Sequence, residues 1–83
     1  IMQLHKSFKE IEFDGSVSKL TPIKSNAGWY AGRIELQYDY DHEGNPVYNG
    51  LYFPYSRESA YFRTPQEVEE LIKYWGNDIL PPL

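Results

Sequence analysis

The longest alternating pattern in the chain runs from residue 29 to residue 40. Its odd-numbered positions carry Trp29, Ala31, Arg33, Glu35, Gln37 and Asp39. Its even-numbered positions carry Tyr30, Gly32, Ile34, Leu36, Tyr38 and Tyr40. Because side chains alternate between the two faces of a strand, this pattern predicts a long strand whose even-numbered face lies in the core.

A second strand is predicted directly after a turn. Residues 41–46 carry turn-forming side chains, and a strand pattern follows over about 47–53. Both faces of that strand carry apolar groups or rings, so the pattern does not show which side is buried. Pro54 is expected to end the strand or to place it at a sheet edge. A short strand is expected around residues 60–63.

The next segment has the signals of an amphipathic helix over about residues 65–75. Thr64 is a good N-cap, Pro65 suits the first helical position, and Glu67 completes a capping box. The positions spaced for one apolar face are Val68, Leu71, Ile72 and Trp75. Such a stripe needs an apolar surface to pack against.

The ends of the chain give weaker signals. Asp14-Gly15 favours a hairpin over about residues 8–20, and residues 21–28 are expected to form a connecting loop. Residues 76–83 are expected to be an extended tail, because Pro81 and Pro82 cannot continue a helix. A loose tail would become an apolar docking peptide.

Together these elements predict one small α+β domain spanning residues 1–83. We expect an antiparallel sheet of three to five strands with the single C-terminal helix, about residues 65–75, packed on one face. The other face of the sheet would then remain exposed.

The high content of aromatic residues indicates a possible function. The 83 residues include eight Tyr, four Phe and two Trp, and ten of these fourteen rings lie between residues 29 and 62. That is more than one sheet face of a small domain buries easily, and Tyr and Trp are frequent in contact surfaces. We therefore expect a protein-interaction module that binds a protein partner through Trp29, Tyr48, Tyr52, Tyr55 and Arg57.

Charge supports a second hypothesis. The net charge of −4 disfavours a nucleic-acid binder held by phosphate contacts. An acidic inhibitor or nucleic-acid mimic, of the kind that phages and mobile elements encode, would block a basic cleft and lose affinity steeply with salt. Its surface would comprise Asp39, Asp41, Glu43, Glu67, Glu69 and Glu70.

A third hypothesis is a site for a small anionic ligand. Arg57 lies close in sequence to Tyr52 and Tyr55, and Ser56 and Ser59 flank it. A guanidinium group can bind a carboxylate or phosphate in a bidentate manner. This site would need a pocket of roughly 300 Å³ bordered by Tyr rings.

Metal and catalytic motifs are weak in this sequence. Asp39, Asp41 and Gly44 resemble the start of a calcium loop, but the twelfth position, which needs a bidentate Glu, holds Gly50. The chain has no Cys, and neither His5 nor His42 has the spacing of a catalytic set. We expect no metal, no cofactor and no enzymatic activity.

The remaining expectations concern location and assembly. The sequence contains no apolar run near about 18 residues, so a membrane span is not expected. No secretory signal follows Met2, which favours a cytoplasmic protein. An uncovered sheet edge or the apolar tail leaves a homo-oligomer possible.

Overall fold

A computed structural model describes residues 2–76 and confirms the small α+β architecture with one helix after an antiparallel sheet. The expected tail over 77–83 lies outside the described residues. The sheet has six strands, above the expected three to five, because three of them are only two residues long. The elements are β1 (Gln3–Leu4), a 3₁₀ helix (Phe8–Glu10), β2 (Phe13–Asp14), β3 (Val17–Ser18), β4 (Thr21–Ser25), β5 (Gly28–Tyr40), β6 (Pro46–Arg57) and α1 (Pro65–Tyr74).

Strand β5 is the centre of the sheet. On one of its edges, β4 pairs with residues 28–32 and β3 pairs at Glu35. On the other edge, β6 pairs with residues 32–40. All of these pairings are antiparallel. Because the pairing with β6 continues past β3, the distal part of the β5–β6 hairpin projects as an arm.

The expected loop over residues 21–28 was wrong, because Thr21–Ser25 forms β4. Ile23 is fully buried and lies opposite Tyr30, and the turn is confined to residues 26 and 27. The pattern failed here because pairing with β5 and β1 stabilises a segment that has no alternating pattern of its own. The expected N-terminal hairpin is present with Gly15 in the left-handed region (φ 72°), but it is much shorter than residues 8–20.

The core lies on both faces of the sheet, and the helix packs on the face opposite to the one expected. Val68 and Ile72 pack with Leu20 and Ala31, so α1 covers the odd-numbered face of β5. We call this face the helix side. The small side chain of Ala31 leaves room for the helix there. A residue this small does not mark its face of the strand as buried in the sequence pattern.

The even-numbered face of β5, which we call the N-terminal side, is covered by the first part of the chain. Tyr30 and Ile34 pack with Ile11 and Ile23, and Phe8, Phe13 and Tyr52 pack around them. The expectation of one entirely uncovered face was therefore wrong. The cover ends before the distal part of the arm, where Tyr38 and Tyr40 are 36% and 72% exposed instead of buried.

Two further boundaries differ from expectation. Strand β6 passes through Pro54 and ends at Arg57, which is possible because β6 pairs only with β5 and is an edge strand. The expected strand over 60–63 is a single bridge between Phe62 and Trp29. Helix α1 begins as expected, with the Thr64 side chain accepting from the Glu67 amide. Within residues 2–76, no helix is long and apolar enough to cross a membrane.

Candidate functional site

Two of the five expected binding residues form an aromatic cluster on the N-terminal side. The Tyr48 ring stacks on Phe8 with centroids 5.9 Å apart, and the Tyr52 ring lies 5.3 Å from the same Phe8. Tyr38 contacts Tyr48 at 5.8 Å. Burial and the neighbouring Tyr52 and Tyr38 hydroxyls raise the pKa of Tyr48 above its ordinary value. Both expected residues are half-buried.

Trp29 lies away from that cluster. It belongs to the odd-numbered face of β5, where it packs against the helix-side core and meets the His5 ring edge-on at 6.1 Å. Its backbone also bonds in both directions with Phe62. The structure therefore does not bring Trp29 together with Tyr48 and Tyr52.

Arg57 is engaged by its own neighbours. Its guanidinium lies 4.9 Å from the centroid of the Tyr61 ring and donates to the Ser59 carbonyl at 2.8 Å. Tyr61 meets the buried Tyr30 ring edge-on at 5.7 Å. Burial, and to a lesser degree the nearby Tyr61, raise the pKa of Tyr30, while Arg57 opposes the rise. These contacts fix the guanidinium against the fold.

Two depressions in the described part of the chain lie away from Arg57. A depression of about 230 Å³ lies near the start of the sheet, lined by Met2, Lys24, Ser25, Asn26, Tyr30 and Pro54. A larger one of about 410 Å³ lies against the helix, lined by Lys6, Glu69, Glu70, Ile72 and Lys73. Arg57 lines neither depression, and the larger one has no Tyr ring.

The most exposed apolar surface lies on the helix side of β6. Val47 is opposite Asp39, and Phe53 is opposite Glu35, so both residues share the odd-numbered face of β5. Leu51 precedes Phe53 at the irregularity opposite Gln37, and Tyr55 follows Phe53 at the irregularity between Ile34 and Arg33. The exposed fractions are 50% for Val47, 53% for Leu51, 50% for Phe53 and 57% for Tyr55. We call these four residues the β6 stripe.

Sequence reasoning identified only Tyr55 of this stripe. The signal for the others was the apolar run at alternate positions of residues 47–53. It was not used because the even-numbered positions also carry rings and the buried side was undecided. The structure decides it, since Phe8 covers Tyr48 and Tyr52 on the N-terminal side.

The acidic residues of the second hypothesis fall into two separate groups. The acidic residues at the tip of the arm lie about ten residues beyond Ala31, where the helix packs. Ten residues of strand span roughly 33 Å. The Asp41 carboxylate accepts from the Glu43 and Asn45 amides and so closes the turn. On the helix, Glu67 completes the capping box and Glu69 lies 3.9 Å from the Lys6 ammonium. The six carboxylates therefore do not form one surface.

Metal ligation finds no support in the described part of the chain. No group of three or more His, Cys, Asp or Glu side chains within residues 2–76 is placed to hold a metal ion. His42 and Glu43 are exposed in the turn at the arm tip.

Comparison with protein-family models, with curated proteins and with solved structures finds no match for this chain. The fold defines a small α+β domain whose distal β5–β6 arm carries exposed aromatic residues.

Proposed function

We propose that this chain is a non-enzymatic protein-interaction module that binds its partner through the β6 stripe. The observation that carries the proposal is that four apolar residues of one strand, Val47, Leu51, Phe53 and Tyr55, are each half exposed or more. Neither α1 nor the N-terminal segment covers them, and contiguous apolar patches of this kind are typical of interaction sites.

The exposed area of the aromatic residues is large enough to contribute substantially to the free energy of binding. About half of the surface of Phe53 and of Tyr55 is exposed to solvent, which is on the order of 100 Å² for each residue. Burying that area contributes roughly 2.5 kcal/mol for each residue at about 25 cal/mol per Å². Rings of this type dominate the binding energy of protein interfaces.

The expected anchors take different roles in this proposal. Tyr55 lies within the stripe, while Tyr48 and Tyr52 border it from the other side of the same strand. Trp29 and Arg57 serve the fold, because Trp29 packs under the helix and Arg57 is held by Ser59 and Tyr61. Alanine at Trp29 should therefore lower stability more than it lowers affinity.

The absence of charge along the stripe separates this proposal from an acidic inhibitor. No Asp, Glu, Lys or Arg occurs between residues 46 and 56. Two carboxylates of β5, Glu35 and Asp39, flank the stripe on the same face. A contact through the stripe should therefore weaken less with rising salt than binding through the scattered carboxylates.

Affinity capture from the source cell at about 50 mM and about 500 mM salt tests the proposal, the salt range being one in which screening changes strongly. The wild-type chain is compared with Phe53→Lys and with a control, Tyr74→Lys, which alters an 86% exposed ring on the helix. We expect a protein retained by the wild type and the control at both salt concentrations and lost by Phe53→Lys. Retention by Phe53→Lys of every protein that the wild type binds would contradict the proposal.

A further inference from the structure

We infer that the open edge of β6 pairs with β6 of a second copy of this chain, so that two sheets join edge to edge about a two-fold axis near Gly50. This inference rests on the proposed function and names a partner for the strand that carries the stripe. It depends on the direction of the backbone groups, on the order of residues along β6 and on the distribution of charge among the sheet edges.

Backbone direction leaves β6 with an open edge. On β5, the Trp29 amide bonds toward the Phe62 side and the Leu36 amide bonds toward the β3 side. The backbone N–H and C=O groups of odd-numbered β5 residues therefore point toward β6. Their partners Val47 and Phe53 direct their own backbone groups toward β5. Tyr48 and Tyr52 consequently direct their N–H and C=O groups away from the sheet. No described strand pairs with that side of β6.

The order of residues along β6 suits antiparallel pairing with itself. Residues 46–54 run Pro-Val-Tyr-Asn-Gly-Leu-Tyr-Phe-Pro, which is nearly symmetric about Gly50. A two-fold axis there places Tyr48 of one copy opposite Tyr52 of the other, with the outward backbone groups of both available for hydrogen bonds. Val47 then lies opposite Phe53 on the helix side. Both prolines fall at the ends, where their missing N–H groups limit the ladder.

Gly50 itself suits the position on the axis. Its φ of 88° is in the left-handed region, and a Cβ built on it meets no atom within 4 Å. The strand is irregular here, because three residues of β6 span the place of Gln37 on β5. A residue without a side chain allows the two backbones to approach closely at such an irregularity.

The other edges of the sheet are protected in the usual ways. Strands β1 and β2 are each two residues long, and charged side chains lie close by at Lys6, Lys9, Glu10 and Glu12. Short strands and charges are two of the devices that prevent edge pairing. Strand β6 is twelve residues long and has no charge before Arg57. Its own blocking features are the prolines at positions 46 and 54 and the irregularities of its pairing with β5, which limit an edge pairing to residues 47–53. Two copies therefore bring no like charges together along the paired segment.

The small contact area indicates a weak dimer. Edge pairing buries the outward backbone of residues 46–54 and only the flanks of the stripe side chains, because the stripe lies on a sheet face that stays in solvent. The contact is therefore smaller than a standard specific interface. We therefore expect a dissociation constant on the order of 10 µM, and a monomer at low concentration.

Sedimentation equilibrium or light scattering from about 1 to 500 µM tests the inference, a range that brackets the expected constant. The mass should rise with concentration from 9.8 kDa toward twice that value. Leu51→Lys brings one ammonium group from each copy close to the two-fold axis, where like charges on neighbouring strands repel, and should weaken the dimer severalfold. Tyr74→Lys adds the same charge on the helix and should dimerise like the wild type. Circular dichroism checks that both variants remain folded.

Cysteine pairing tests the arrangement directly, because the chain has no native Cys. Opposed residues of the kind proposed for Val47 and Phe53 have Cα atoms about 4.5 Å apart, which a disulfide can span. A mixture of Val47→Cys and Phe53→Cys should form the mixed disulfide faster than a mixture of Val47→Cys and Tyr74→Cys.

The outcomes separate this inference from the proposed function. A mass of one chain at every concentration overturns the self-pairing, as does a dimer that Leu51→Lys leaves unchanged. The proposed function is tested separately, by whether a protein other than this chain is captured by the wild type and is not captured by Phe53→Lys. A dimer that the stripe variants dissociate and that forms the mixed disulfide supports the inference.

Discussion

Replacing Gly32 with alanine should destabilise the fold where β4, β5 and β6 meet. Gly32 is paired with Thr21 on one edge and with Arg57 on the other. A Cβ at this position would lie 2.5 Å from the carbonyl oxygen of Ser56 and 2.6 Å from Cε2 of Tyr30. An ordinary contact begins near 3.4 Å, so the neighbours must give way by about 0.9 Å.

Neither neighbour can move freely. The Ser56 oxygen belongs to the backbone of β6, and the Tyr30 ring is buried and held edge-on by Tyr61. Overpacking of this kind costs about 1–3 kcal/mol, and two rigid contacts place Gly32→Ala near 3 kcal/mol. A chain of 83 residues has a free energy of unfolding of roughly 4–12 kcal/mol. We expect the Tm to fall by about 12–24 °C.

Urea unfolding followed by tryptophan fluorescence measures the effect, since Trp29 and Trp75 both pack at the helix-side core. The control is Gly15→Ala, where the Cβ meets no atom within 4 Å and only the φ of 72° opposes substitution. That conformational penalty is about 1–2 kcal/mol. If Gly32→Ala loses no more stability than Gly15→Ala, the steric argument is wrong.

Three other substitutions test single contacts of the fold. Ser59→Ala should lower the free energy of unfolding by about 1–3 kcal/mol, because the buried Ala31 amide donates to the Ser59 hydroxyl at 2.8 Å and would lose its acceptor; urea unfolding measures this loss. Thr64→Ala removes the N-cap of α1 and should cost about 1 kcal/mol, with a loss of helical circular dichroism on heating. Burial raises the pKa of Tyr30 above 10.0, so its neutral form stabilises the fold below pH 10 and that contribution is lost as pH rises through the folded-state pKa. Tyr30→Phe should therefore make the urea midpoint fall less steeply above pH 10 than it does in the wild type.

Local signals predicted the elements that depend on local interactions. The helix begins where the Thr64 N-cap and the capping box place it, and the structure contains both hydrogen bonds of that box. Gly15 forms the predicted turn with a positive φ. Strand β5 begins one residue before the predicted start and ends at the predicted residue. The turn and the helix start require only interactions between residues close in sequence, and the bounds of β5 follow from the alternation along the strand.

The side of the sheet on which the helix packs could not be predicted, because it depends on contacts between distant residues. Near its start, β5 is apolar on both faces, with Tyr30 and Ile34 on one and Ala31 on the other. The N-terminal segment takes the first face through Ile11, which leaves the second to the helix. The buried serines Ser18 and Ser59 were missed for the same reason, since each accepts from an amide of β5.

The presence of rings at the surface could be predicted, but which rings share one side of the sheet could not. The surplus of rings over residues 29–62 correctly indicated rings at the surface, and Tyr55 is among them. The chosen anchors mixed the two sides of the sheet, because Trp29 is odd-numbered on β5 while Tyr48 and Tyr52 are covered by Phe8 on the N-terminal side.

The exposed stripe has a geometric origin. Helix α1 has ten residues and is about 15 Å long, whereas β5 has thirteen residues and is about 43 Å long. The helix crosses only the start of that strand, where it contacts Ala31. No other described element lies on the helix side of the arm, so the apolar residues of β6 face solvent there. The proposed dimer would pair this distal part of β6 with its counterpart, and so would extend the sheet of each copy along the strand that its own helix does not reach.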